Sequence, residues 1–125
     1  MLDDLLKNIV TIYIAYGATD FRKQIASLCE IVENHYRVNP YNSSAFIFCN
    51  KKRNSIKVLC YDRNGFILAQ KTLLAQNSMK FQWPKNKGEL SNITKDQLSW
   101  LLSGLKIYPD KYFSDIELTR EKVAV

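Results

Sequence analysis

Two runs rich in β-branched and aromatic residues, Ile56–Tyr61 and Phe66–Leu74, are joined by Asp62-Arg63-Asn64-Gly65. Asn and Gly both tolerate positive φ, and an Asn-Gly pair between two such runs is among the strongest short hairpin signals. The middle of the chain is thereby committed to antiparallel pairing. With Asn64-Gly65 as a two-residue turn, Tyr61 lies opposite Leu68 and Lys57 opposite Thr72, and Lys57 and Lys71 point to different faces. Neighbouring segments extend the pattern. Ala45–Asn50 is a short apolar strand connected to Ile56 through Lys51-Lys52-Arg53-Asn54. Met79–Trp83 alternates apolar and polar residues and ends at Pro84, as an edge strand does. Ile9–Tyr16 is a further β-rich run, broken by Gly17.

Two segments carry helical spacing. Phe21, Ile25, Leu28, Cys29, Val32 and Tyr36 fall on one helical face, with Thr19 placed as N-cap and Asp20 in the first turn. Thr94-Lys95-Asp96-Gln97 is a capping box, flanked by Ile93 and Leu98 as a hydrophobic staple; Leu98, Leu101, Leu102 and Leu105 supply the apolar face. The expected order is β-α-β-β-β-β-α, of the α+β class: an antiparallel meander with two helices packed on one face. One domain over residues 1–108 and a C-terminal tail over 109–125 are expected, since no pattern continues past Pro109.

Charge is distributed unevenly. The 125 residues carry a net charge of +6, yet residues 50–88 hold nine of the eighteen basic residues against a single acid, Asp62, so the rest of the chain is net negative. Such asymmetry points to a polyanion or an acidic protein surface as partner. No apolar run approaches the ~18–20 residues of a membrane span. Met1–Asn8 carries Asp3 and Asp4 where a secretory leader carries basic residues, so a cytoplasmic location is expected. Cys29, Cys49 and Cys60 have no metal-site or redox spacing and fall in apolar patterns, as reduced core thiols do.

No catalytic constellation emerges. His35 is the single histidine, no glycine-rich phosphate loop or nucleophile elbow is present, and no metal, cofactor or small-molecule substrate is expected. Asp20, Asp62 and Asp96 would be the carboxylates of a metal-dependent nuclease, but each is better explained as a helix-start or turn residue. The basic segment is the stronger candidate. Lys51, Lys52 and Arg53 project from a hairpin connection, where cations reach phosphates, with Lys57 and Arg63 on the same β-rich stretch and Arg22 and Lys23 at the first helix start. Phe46, Phe48, Tyr61, Phe66, Phe81 and Trp83 are better placed as strand core than as base-stacking platforms.

The ordered set Thr19-Asp-Phe-Arg-Lys23, Phe46-Ile-Phe48, Lys51-Lys-Arg53, Ile56-Lys57, Tyr61-Asp62, Gly65, Lys71, Phe81-Gln-Trp-Pro84 and Gln97-Leu98 with Leu101-Leu-Ser-Gly104 resembles one family over about residues 9–107. It is similar to the small accessory protein, TnpB or Orf-two-like, of insertion-sequence family sixty-six. That family is distinct from the much longer RNA-guided nucleases that share the TnpB name. Tyr61 stands where the family usually has Trp, and Lys71-Thr-Leu-Leu74 where it has Lys-Arg-Leu-Glu. The resemblance implies a role in transposition beside a separately encoded transposase. Two mechanisms are compatible with it. One is a non-enzymatic DNA-binding accessory that holds element ends or non-specific duplex through Lys51, Lys52, Arg53, Lys57, Arg63, Arg22 and Lys23. The other is an interaction module docked on the transposase or another element-encoded protein without direct DNA contact, with Trp83, Trp100 and Tyr108 as anchors and the edge strand ending at Trp83-Pro84 extending a partner's sheet.

Overall fold

The computed structural model describes residues 2–74, 80–86 and 88–104. A one-turn helix, α1 (Leu2–Leu5), precedes strand β1 (Thr11–Ala15). Helix α2 (Ile25–Glu30) follows and continues as a π-helical turn, Ile31–His35, in which the Tyr36 N–H donates to the Ile31 carbonyl at 3.1 Å. Three strands come next, β2 (Ser44–Cys49), β3 (Ser55–Asp62) and β4 (Gly65–Thr72). A short strand β5 (Leu90–Ile93) and helix α3 (Lys95–Leu102) complete the described chain.

The five strands form one mixed sheet in the order β4-β3-β2-β1-β5. The α+β class holds, but the sheet is not an antiparallel meander: β1 and β2 are parallel, with Thr11 beside Ser44 and Ile14 beside Ile47. The long connection between them carries α2, which is what a parallel pair requires. β3 runs antiparallel to both β2 and β4, and β5 antiparallel to β1.

Strand alternation splits the apolar side chains into two layers. Phe46, Phe48 and Leu59 pack with Leu28 and Val32 of α2 and its π turn. Ile12, Ile14, Ile47 and Val58 pack on the other side with Leu98 and Leu101 of α3 and with Phe81 and Trp83. The two helices therefore lie on opposite faces of the sheet, not on one.

Three local expectations also change. The β3–β4 turn is Arg63-Asn64, with Asp62 opposite Gly65, Tyr61 opposite Phe66 and Lys57 opposite Gln70. This slips the expected pairing by two residues, which leaves every side chain on its expected face. The helix expected after Thr19 is α2, and it starts only at Ile25. Asp20 instead accepts from the Arg22 backbone N–H at 2.9 Å, a local turn that competes with helix initiation. Residues 80–86 keep the expected alternation, with Phe81 and Trp83 buried between exposed Lys80 and Gln82, but they form no strand; the edge beside β1 is β5. The α3 capping box is formed as expected: the Gln97 N–H donates to Thr94 Oγ1 at 3.0 Å and the Thr94 N–H to Gln97 Oε1 at 2.9 Å. Among the described residues no helix is long and apolar enough to cross a membrane.

Candidate functional site

Parallel pairing places the carboxyl ends of β1 and β2 side by side, the position at which open α/β sheets bind ligands. β2 ends there in the connection to β3, and Asn50 organises that connection with its side chain. Asn50 Oδ1 accepts from the N–H groups of Asn54 at 3.0 Å and Ser55 at 3.1 Å, and its Nδ2 donates to Asn54 Oδ1 at 2.7 Å. Arg53 completes the turn in the left-handed region at φ 59°, its N–H donating to the Asn50 carbonyl at 3.1 Å. The tip is thus held by its own polar groups while Lys51 and Lys52 stand exposed.

Residues 80–86 cross this end of the sheet as a strap. The Phe81 N–H donates to the Arg53 carbonyl at 2.7 Å, and the Gly17 N–H to the Pro84 carbonyl at 2.8 Å. Between them the Trp83 indole N–H donates to the Ala15 carbonyl at 2.8 Å. The strap delivers Lys85 to a cleft of about 220 Å³ whose walls include Gly17, Lys51, Arg53, Trp83 and Pro84. Among the described residues no acidic side chain lines this cleft. A broader depression on the other side of Lys51 is lined by Lys52, Asp20 and Arg22.

The sequence-derived candidates divide accordingly. Lys51, Lys52 and Arg53 come together as expected. Arg22 lies nearby, but its guanidinium is engaged with Asp20, Nη2 to Oδ2 at 2.6 Å with two further contacts from Nε at 3.1 Å. Hydrogen bonds from Arg22 hold the Asp20 carboxyl well below the usual carboxylate range. Lys23 is half-buried at the end of the same loop. Lys57 is not a surface cation. It is 3% exposed, and its ammonium donates to the carbonyls of Phe21 at 2.9 Å and Lys23 at 2.8 Å while lying 4.8 Å from the Phe21 ring centre. Burial pulls its pKa down, with the Asp20 charge acting in the opposite sense. Alternation correctly turned Lys57 away from Ile56 and Val58; the segment preceding α2 then covers that face. Arg63 sits at the opposite end of β3, roughly 23 Å away at ~3.3 Å per residue, beside Asp62 at 3.8 Å.

Trp83 is 5% exposed and serves as core and tether rather than as a surface anchor. Trp100 is half-buried on α3, and Tyr108 lies outside the described residues, as does the tail 109–125. Asp20, Asp62 and Asp96 occupy three separate elements, and no group of three metal-ligating side chains comes together among the described residues. Lys85 was missed by sequence reasoning. The available signal was the Trp83-Pro84 pair two positions before it, since a buried indole fixes where the following residues emerge.

Residues 10–111 match the family described as IS66 Orf2 like protein. Two proteins of Sinorhizobium fredii (strain NBRC 101917 / NGR234) are similar to the chain. Uncharacterized protein y4hO is 34% identical over 96 residues, spanning 77% of this chain and 81% of the relative. Uncharacterized protein y4jC is 29% identical over 94 residues, spanning 75% and 78% respectively. No solved structure matches the chain significantly.

Proposed function

This chain belongs to the IS66 Orf2-like family of insertion-sequence accessory proteins, and we propose that it is a non-enzymatic accessory that grips the backbone of duplex DNA to assist a separately encoded transposase. The observation that carries this reading is the gathering of Lys51, Lys52, Arg53 and Lys85 at one end of the sheet, three of them lining a cleft with no acid among the described residues. Cations held on a braced turn meet phosphates without first having to be ordered. Phe81 and Trp83 beside that cluster are buried, and Phe21 is half-buried with the Lys57 ammonium against its ring, which favours a duplex backbone over unpaired bases as ligand. None of the described helices carries the basic, exposed face of a recognition helix, which leaves sequence choice to the transposase on this reading.

Fluorescence anisotropy of the full chain against a duplex, titrated with salt, tests the proposal. Four engaged cations give a slope of log affinity against log salt of about −3 to −4 on duplex DNA. Changing Lys51, Lys52 and Arg53 to alanine together should bring the slope to about −1, while Arg63→Gln leaves it unchanged. A flat salt response, or a triple variant that binds like the parent, overturns the reading.

A docking module for the transposase is the second reading. It is favoured by β4, whose eight residues form an outer edge of the sheet without proline or bulge. Retention of the transposase by the full chain after nuclease treatment would support it; loss of that association would oppose it.

A further inference from the structure

The basic end of the sheet has two sides, and they differ in chemistry. On one side of Lys51 the depression contains the Asp20–Arg22 pair, in which a carboxylate already occupies the guanidinium. On the other, the cleft beneath the strap holds three cations, Lys51, Arg53 and Lys85, and no acid among the described residues. Its apolar wall is the Trp83 indole, whose only donor is already committed to Ala15. The N–H of Gly17 is likewise used, by Pro84. Ala18 lines this cleft and the depression alike, and its N–H donates to no protein acceptor among the described residues. A half-buried backbone donor left open beside three cations is available to an anion's oxygen.

We infer that this cleft is a subsite for one phosphate group, held by Lys51, Arg53 and Lys85 and by the Ala18 N–H. The cleft has room for a phosphate but not for a folded macromolecule, so a longer ligand enters it one phosphate at a time. The inference rests on the DNA-binding reading for the source of that phosphate, a backbone phosphodiester, while free inorganic phosphate shares its chemistry. It also ranks the cations. Arg53 and Lys85 line this cleft alone, Lys52 lines only the other depression, and Lys51 stands between them.

Amide NMR spectra of the labelled full chain, titrated separately with inorganic phosphate and with a short duplex, test the subsite. Phosphate should shift the amides of Gly17, Ala18, Arg53 and Lys85. Arg53→Gln and Lys85→Gln should each weaken that response about tenfold, the loss of one charged contact, and Lys52→Gln should leave it in place. Lys85 is exposed, so its replacement does not threaten folding; Lys85→Glu, which adds an acid to the cleft, should abolish the response. If the duplex shifts the same amides and phosphate competes with it, the phosphodiester is the source. If phosphate shifts these amides but the duplex does not bind, the subsite stands with free phosphate as its ligand and the DNA reading falls. If the duplex binds but phosphate leaves Gly17 and Ala18 unmoved, the subsite falls and the DNA reading survives.

Discussion

Strand β3 ends in an arginine-bearing turn on each side, and both arginines adopt the left-handed conformation, Arg53 at φ 59° and Arg63 at φ 54°. Beyond that the two tips diverge. At the first, the Asn50 side chain makes three hydrogen bonds to the turn and its exit, the strap crosses behind it, and among the described residues no acid lines the neighbouring cleft. At the second, Asp62 sits directly beside Arg63, and the Tyr61 hydroxyl donates to the Arg63 carbonyl at 2.9 Å. Tyr41, Tyr61 and Phe66 close that end with rings meeting edge to face at 5.1–5.3 Å. The same backbone solution thus serves two electrostatic ends. On the proposed reading, a tip cation serves a polyanion through what the rest of the fold brings next to it: the first tip receives Lys85, and its nearby carboxylate, Asp20, lies in the other depression and is held by Arg22.

The comparison breaks first if the strap is not essential to the basic end. Trp83→Ala removes a buried indole and its bond to Ala15, with an expected cost of about 3–5 kcal/mol. Tyr41→Ala at the far end deletes a ring that is 56% exposed, and should cost about 1 kcal/mol, the scale of its aromatic contacts. Urea midpoints at unchanged m-value measure both; equal losses would show that the two ends are braced alike. A smaller effect attends Lys57→Met, which strips the carbonyls of Phe21 and Lys23 of their donor at about 1–3 kcal/mol. Hydrogen exchange should then quicken in residues 20–24 and not at the Arg63 turn. Uniform quickening would mean that Lys57 supports the whole sheet rather than the loop beside the basic end.

Much of this contrast was legible in the sequence, and the missing part has a physical reason. Asn64-Gly65 announced the β3–β4 hairpin correctly, although the turn formed one residue earlier. A slip of two residues keeps every side chain on its face, so the apolar pattern cannot register it. Thr94 and Gln97 announced their helix start because both partners of a capping box are local. The orientation of β1 against β2 is not local, and alternation alone cannot distinguish parallel from antiparallel neighbours; the helix between the two strands was the usable clue. β5 escaped notice because four residues with Ser91 and Asn92 at its centre carry no strand pattern. Lys57 shows the same limit at a single residue. Alternation gives the face on which a side chain lies, but only tertiary packing decides whether that face meets water. The exposure of Lys51 and Lys52 was legible because a hairpin tip meets water wherever the sheet is placed, whereas Arg53 in the same tip is half-buried.

The smallest effect concerns two thiols in the layer shared with α3, one under each tip. Cys49 ends β2 beneath the basic tip, and burial pushes its pKa up to about 12, with Arg53 pulling the other way. Cys60 lies near the acidic tip; burial raises it too, and there Asp62 adds to the rise. Below the ordinary thiol value of 9.0 Cys49 is protonated in both folded and unfolded chains, and its contribution to stability is fully present. Between pH 9 and about 12 the unfolded chain releases the proton and the folded chain keeps it, so stability falls as pH rises. Cys29, Cys60 and Tyr36 are shifted in the same direction, so the difference between the parent and Cys49→Ala isolates the Cys49 part. That difference should shrink across pH 9–12. Arg53→Gln should steepen the alkaline loss by removing the cation that eases Cys49 ionisation, whereas Asp62→Asn should soften it by removing the anion that opposes Cys60. Denaturant midpoints across this range decide the matter. Slopes moving in the same direction for both variants would mean that the two tips impose no opposite fields on the core between them.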